Sequence, residues 1–136
     1  MLGGSPFGNK VERVYDLDDE RDLRAIGISG NEERADRIIH YVECHHLVME
    51  IKGKSQPLKK AIAQVRATVE KSRTPNIKFA VIVKQKIPKA EQGFYRWNHN
   101  SMRLTYASSP ERPVMVGNSL PLYLLTPGQA KSFGLV

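Results

Sequence analysis

Ala35-Asp36-Arg37-Ile38-Ile39-His40-Tyr41-Val42-Glu43-Cys44-His45-His46-Leu47-Val48-Met49-Glu50-Ile51-Lys52 is the stretch that decides the fold. Arg34 to Glu43 contains Ile38, Ile39, Tyr41 and Val42, and His46 to Lys52 contains Leu47, Val48, Met49 and Ile51. β-Branched and aromatic side chains at this density favour strands. The short Glu43-Cys44-His45 link between the two runs predicts a hairpin. A turn centred on Glu43 sets Asp36 directly across from Glu50. Directly opposed residues on neighbouring strands hold their Cβ atoms about 4.5–5.5 Å apart. Glu50 and Lys52 are two apart, so both point to one face. Leu47, Met49 and Ile51 point the other way and are expected to fill the core. The hairpin therefore gathers two carboxylates and an ammonium on one side of the sheet. The Ile51 backbone carbonyl lies between Glu50 and Lys52 and offers a further oxygen ligand.

Beyond the hairpin, Gly53-Lys54-Ser55-Gln56-Pro57 breaks the strand. Ser55 or Gln56 is expected to cap a helix that starts at Pro57. Leu58, Ala61, Ile62, Val65 and Val69 recur at spacings of three and four, one apolar stripe of a helix running to about Ser72. Lys78-Phe79-Ala80-Val81-Ile82-Val83 reads as a strand buried on both faces, parallel to the Glu50 strand across a helical crossover. Upstream, residues 10–24 lack Gly and Pro and space Val11, Val14 and Leu17 roughly as a helix does. Ile26 to Gly30 reads as a short strand or turn. Downstream, Val114-Met115-Val116 and Leu120 to Leu125 are candidate strands, and Thr126-Pro127-Gly128-Gln129 predicts a capped C-terminal helix. The expected fold is α/β, a mixed central sheet with flanking helices.

Two carboxylates this close repel unless a cation or a proton lies between them. Oxygen-only ligands suit Mg²⁺ or Mn²⁺. Lys52 would orient a water or deprotonate it, or else neutralise charge that develops on a phosphoryl group. The plainer reading is a solvent-facing acid pair with Lys52 as a surface salt-bridge partner. Asp36, followed by Glu50-Ile51-Lys52, then a helix and a buried strand, resembles the PD-(D/E)XK nuclease superfamily, the restriction-endonuclease-like fold. The resemblance spans about residues 33–84. It implies an α-β-β-β-α-β core, Asp36 and Glu50 as metal ligands, and Lys52 as the catalytic lysine. It further implies Gln64 on the following helix as an active-site residue, although Thr68 stands where exonuclease branches often carry an aromatic. An acidic residue on the first helix would be Glu12, with Glu33 as the alternative. Ala35 replaces the proline that often precedes the first motif residue.

Residues 1–36 carry five Lys/Arg and nine Asp/Glu, whereas residues 37–136 carry sixteen and five, a net of +11 that suits a polyanionic partner. Lys54, Lys59, Lys60, Arg66, Lys84, Lys86, Arg96 and Trp97 are the candidate nucleic-acid contacts. Phe94 and Tyr95 are expected to pack into the core or a dimer interface. The adjacent Cys44, His45 and His46 cannot readily offer zinc a tetrahedral set. His40 and His99 read as structural or surface residues. The length of 136 residues suits one domain, with a loose start at 1–9, a core at about 10–84, and substrate-contact or dimerisation elements at 85–136. No apolar run nears the roughly 20 residues of a membrane span, no signal peptide is evident, and a lone cysteine fits a reducing, cytoplasmic setting. The sequence thus points to a Mg²⁺-dependent nuclease acting on DNA, RNA not being excluded, and working as a homodimer. The alternatives are a non-catalytic nucleic-acid-binding or assembly protein that kept the fold, and a nucleotide- or RNA-directed regulator, for which no Gly-rich phosphate loop is found.

Overall fold

The computed structural model describes residues 11–27, 34–41, 46–53, 56–71, 77–117 and 120–135. Lys54, Glu33, Cys44 and His45 therefore lie outside the described residues. The expected hairpin is present as β2 (Arg37–Tyr41) and β3 (His46–Ile51), antiparallel, with Ile38 opposite Val48 and Arg37 opposite Met49. Continued by one step, that register sets Asp36 against Glu50. After β3 the chain forms α2 (Leu58–Lys71) and returns as β4 (Ile77–Val83), parallel to β3, with Glu50 beside Ile82. Ala80 to Val83 are buried, as the unbroken apolar run requires.

The start of the chain differs from expectation. Residues 10–24 do not form one helix. Val11–Asp16 is strand β1, paired antiparallel with β2, and Glu20–Ile26 is helix α1. Val11 and Tyr15 face inward while Glu12 and Val14 are exposed, and β1 has only β2 as neighbour, an edge position that weakens its hydrophobic pattern. The Asp19 carboxylate accepts the Arg21 and Asp22 N–H groups and starts α1 there. Gly27 ends it in the left-handed region at φ 84°. The first six elements thus run β-α-β-β-α-β instead of the expected α-β-β-β-α-β.

The second half extends the same sheet. A single 3-10 turn at Lys89–Glu91 leads to β5 (Tyr95–Asn98), β6 (Arg103–Tyr106), β7 (Ser109–Pro113), β8 (Met115–Val116), β9 (Leu120–Leu125) and α3 (Pro127–Ser132). The main strand order is β1-β2-β3-β4-β9-β6-β5, with β7 on β6 and β8 on β9. β9 runs parallel to β4, so the sheet is mixed. The capping box at Thr126 and Gln129 starts α3, as read from the sequence. α1 and α2 cover one face over Ile38, Val48, Ile82 and Leu124. On the other face, α3 packs its Ala130 over Ile39, Leu47, Met49 and Val81. Ile51 belongs to neither core. At the end of β3 it has run past its cover and is 38% exposed, contrary to expectation. No helix among the described residues is long and apolar enough to cross a membrane.

Candidate active site

Asp36 is fixed before its chemistry is considered. Its N–H donates to the Met49 carbonyl at 3.1 Å, and its own carbonyl accepts the Leu17 N–H at 2.9 Å. Its side chain completes the ladder where β2 has begun, with Oδ2 accepting the Ile51 N–H at 2.7 Å. In an antiparallel pair a residue exchanges N–H and C=O with the same partner, so both groups of Ile51 face the β2 side. The Ile51 carbonyl is therefore turned toward the Asp36 carboxylate, consistent with its expected place among the oxygen ligands.

Glu50 is almost fully buried at 2% exposure. Its Oε2 accepts a hydrogen bond from Lys52 Nζ at 2.9 Å, and the Lys52 side chain is itself 7% exposed. Its Oε1 is buried with no hydrogen-bond partner. Burial pushes the Glu50 carboxyl up to about 7, opposed by the Lys52 hydrogen bond and reinforced by the negative charge of Asp36. Glu50 therefore does not face solvent, whereas Asp36 beside it is half-buried. Taking an ammonium and a carboxylate out of water costs several kcal/mol per ion, and apolar replacements of the same shape are often at least as stable. A buried set this costly to desolvate is a site candidate rather than a scaffold element. Among the described residues no three His, Cys, Asp or Glu side chains cluster for a metal. The donor set is two carboxylates and a carbonyl, with one carboxylate oxygen still unpartnered. Mg²⁺ keeps several waters and needs only one or two protein carboxylates, so these residues fit it.

Helix α2 braces the approach to Asp36. Thr68, 1% exposed on the apolar stripe, accepts the Ala35 N–H at 2.7 Å and donates to the Gln64 carbonyl at 3.0 Å. Gln64 turns its Nε2 toward the Arg34 carbonyl at 3.4 Å, and its Oε1 is buried without a partner. It therefore stands beside the segment that leads into Asp36, and no contact of it with Lys52 is observed. Sequence reasoning passed over Thr68 as a missing aromatic. A hydroxyl on the stripe of Leu58, Ala61 and Val65 was the signal for a buried polar partner.

Two assignments need correction. Glu12 is exposed on β1 opposite the His40–Tyr41 end of β2, four to five positions from Asp36, roughly 15 Å at the usual strand rise. It is no ligand for this site, because the segment expected to be a helix is a strand that carries it to the wrong end. Lys84 is buried and not a surface phosphate contact: the strand step after Val83 turns it onto the α2 face, where its Nζ donates to the Gly53 carbonyl at 2.9 Å. Burial lowers its pKa, helped by the charges of Lys86 and Lys52 and opposed by Glu91. Sequence reasoning also missed Glu91. Its two oxygens accept the Leu58 and Lys59 N–H groups at 2.6 and 2.8 Å, so Glu91 takes a capping place at the α2 start that was expected for Gln56, Ser55 lying outside the described residues. Gln56 instead bonds the Gly53 N–H. Those partners are 33 and 32 residues apart in sequence, beyond any local pattern.

The surface candidates divide. Lys59, Lys60, Arg66, Lys86 and Arg96 are exposed. Trp97 is half-buried, donates to the Leu124 carbonyl at 2.9 Å and stacks on His99. Tyr95 packs against the main core as expected, but Phe94 is 68% exposed. It sits in the turn before β5, where no second layer covers it. No family model, curated protein or solved structure matches the chain.

Proposed function

We propose that this protein is a Mg²⁺-dependent nuclease that hydrolyses phosphodiester bonds in DNA. The observation that carries the reading is the buried Glu50–Lys52 ion pair, set by the strand register against a half-buried Asp36, with the Glu50 Oε1 atom unpartnered. Asp36, Glu50 and the Ile51 carbonyl would hold Mg²⁺ or Mn²⁺. The chemistry such an ion supplies when bound is polarisation of a phosphoryl oxygen and a more acidic water. The chain's own contributions are positional. The backbone bonds of Asp36 fix one carboxylate, the sheet register fixes the other, and the ion pair fixes the Lys52 ammonium beside Glu50. Lys52 then presents positive charge where the attacking water and the scissile phosphate meet. Water oxygen bonds to phosphorus and gives up a proton to solvent as the opposite P–O ester bond breaks, and the departing oxygen takes a proton from solvent. The net charge of +11 over residues 37–136 supports a polyanionic substrate. A homodimer would bring two such sites to one duplex.

A second reading rests on the Lys52–Glu50 ion pair, which satisfies two oppositely charged groups without any ligand. On that reading the protein binds nucleic acid and cuts nothing. Labelled linear, branched and single-stranded DNA and RNA, incubated with Mg²⁺, Mn²⁺ or EDTA, separate the two. Cleavage that needs the metal and is lost in Asp36→Ala, with binding retained, supports the nuclease. Absence of metal-dependent cleavage across the panel leaves the binding reading standing.

A further inference from the structure

At the start of α2, the helix that follows the Lys52 strand, lies a groove that the hydrolytic reading does not use. It encloses about 560 Å³ between the α2 start and the β5–β6 hairpin, lined by Lys59, Glu91, Phe94, Tyr95 and Tyr106 among others. Its volume falls within the roughly 300–1,000 Å³ of small-molecule pockets. Three aromatic rings line it: Tyr95 and Tyr106 lie side by side with ring centroids 6.1 Å apart, and Phe94 is largely exposed. Cations surround these rings. Lys59 is part of the wall, and the Arg112 guanidinium lies over Tyr106 at 5.2 Å, while at the Tyr95 hydroxyl the negative charge of Glu91 outweighs the positive charge of Arg66. The one carboxylate in the wall, Glu91, is engaged by the Leu58 and Lys59 N–H groups. The groove therefore offers flat π faces with positive charge around them, the pattern that takes a base and its phosphate without reading sequence.

Glu91 also ties the groove to the site. It acts by charge on Lys84, whose Nζ holds the Gly53 carbonyl one residue after Lys52. We propose that this groove holds an unpaired nucleotide of a DNA strand, stacked on Phe94 with its phosphate on Lys59, next to the phosphodiester presented to Lys52. The groove deepens the nuclease reading and rests on it only for the position of the cut. Duplex bases are stacked on one another and cannot enter, so the groove selects strands with unpaired bases. A second copy of this chain covering Phe94 is the rival occupant.

Binding is read in EDTA, so that cleavage plays no part, by fluorescence anisotropy of labelled oligothymidylate and of a blunt duplex, with oligouridylate as a third probe. Phe94→Ala should weaken oligothymidylate by roughly 5- to 100-fold, the range for loss of one stacked base. The blunt duplex should change by less than about twofold, since its bases are not available. Lys59→Gln should reduce the salt slope for oligothymidylate by about 0.7, one single-strand phosphate contact. Phe94 is exposed, so the variant should melt with the wild type, and Phe94→Leu should behave like Phe94→Ala because it restores bulk but no ring. Equal losses on both DNA probes overturn the proposal, as do wild-type affinity in Phe94→Leu, tighter binding of oligouridylate than of oligothymidylate, or a change in oligomeric state on Phe94→Ala. If Phe94 governs oligothymidylate binding while the wild type cuts nothing with Mg²⁺, the groove stands and the nuclease reading falls. If cleavage is metal-dependent but Phe94→Ala leaves oligothymidylate binding unchanged, the nuclease reading stands and the groove falls.

Discussion

The end of β3 and the β5–β6 hairpin belong to one sheet but are built on opposite terms. At the first, Glu50 and Lys52 are shut in and held by register, by the Asp36 backbone bonds and by one another. At the second, Phe94, Arg96 and Asn98 stand in solvent, while Tyr95, Trp97 and Leu104 anchor the hairpin to the core. Groups whose charge must be felt strongly gain from exclusion of water, because the effective dielectric there is low. Groups that meet a polymer need exposure. Under the proposed function, bond-breaking would belong to the first region and substrate contact to the second, a division that experiment can break or sharpen.

The largest effect is expected at the buried end. Asp36→Ala or Glu50→Gln should lower metal-dependent cleavage by more than about a hundredfold, the scale for losing a positioned electrostatic group, with DNA affinity within about twofold since neither contacts the backbone directly. Equal losses in cutting and affinity would dissolve the division between the regions. A pH test comes next. The Glu50 pKa is raised from 4.5 to about 7 in the folded chain, so between those values the folded state binds more protons than the unfolded. Stability from this group is full below pH 4.5 and is lost as pH rises toward 7 and beyond. In EDTA, Glu50→Gln should therefore gain on the wild type between pH 4.5 and pH 8, by at most about 3 kcal/mol, measured by chemical denaturation at each pH. A parallel dependence in both proteins would show that Glu50 is not held in this environment.

Thr68→Val tests the brace between them. It leaves the buried Ala35 N–H without an acceptor and should cost about 1–3 kcal/mol of stability. Because Ala35 leads directly into Asp36, cleavage should fall further than stability explains. Calorimetry and single-turnover cleavage on the same preparation check both. The smallest effect is expected at the exposed face of α2: Lys60→Gln should change stability by no more than about 0.5 kcal/mol and DNA affinity by a few-fold, more at low salt.

The hairpin and its register were legible because a period of two and a short link leave few alternatives: fixing the turn at Glu43 fixed Asp36 against Glu50. The β3-α2-β4 crossover and the α3 capping box were legible for the same local reasons. The pairing of Asp36 with Glu50 and Lys52 was therefore in the sequence, while its burial was not. Strand β1 was missed because Val11, Val14 and Leu17 fit a helical spacing as well as they fit an edge strand, and only pairing with β2 decides. Lys84 and Glu91 were missed because their partners, Gly53, Leu58 and Lys59, are more than 30 residues away. A lysine after a buried strand and a glutamate in a short turn look like solvent residues until the sheet closes over them.

The Glu91 carboxylate at the head of α2 has a consequence for how the chain becomes stable. Two backbone donors at that helix start wait for an acceptor contributed by the far half of the molecule. A chain that ends at Lys86 would hold the whole acid and amine cluster yet lack this clasp. Its leading turn should fray, and its amide protons there should exchange quickly with solvent. The two halves are thus coupled at the helix start by this side chain, in addition to the β4–β9 pairing within the sheet.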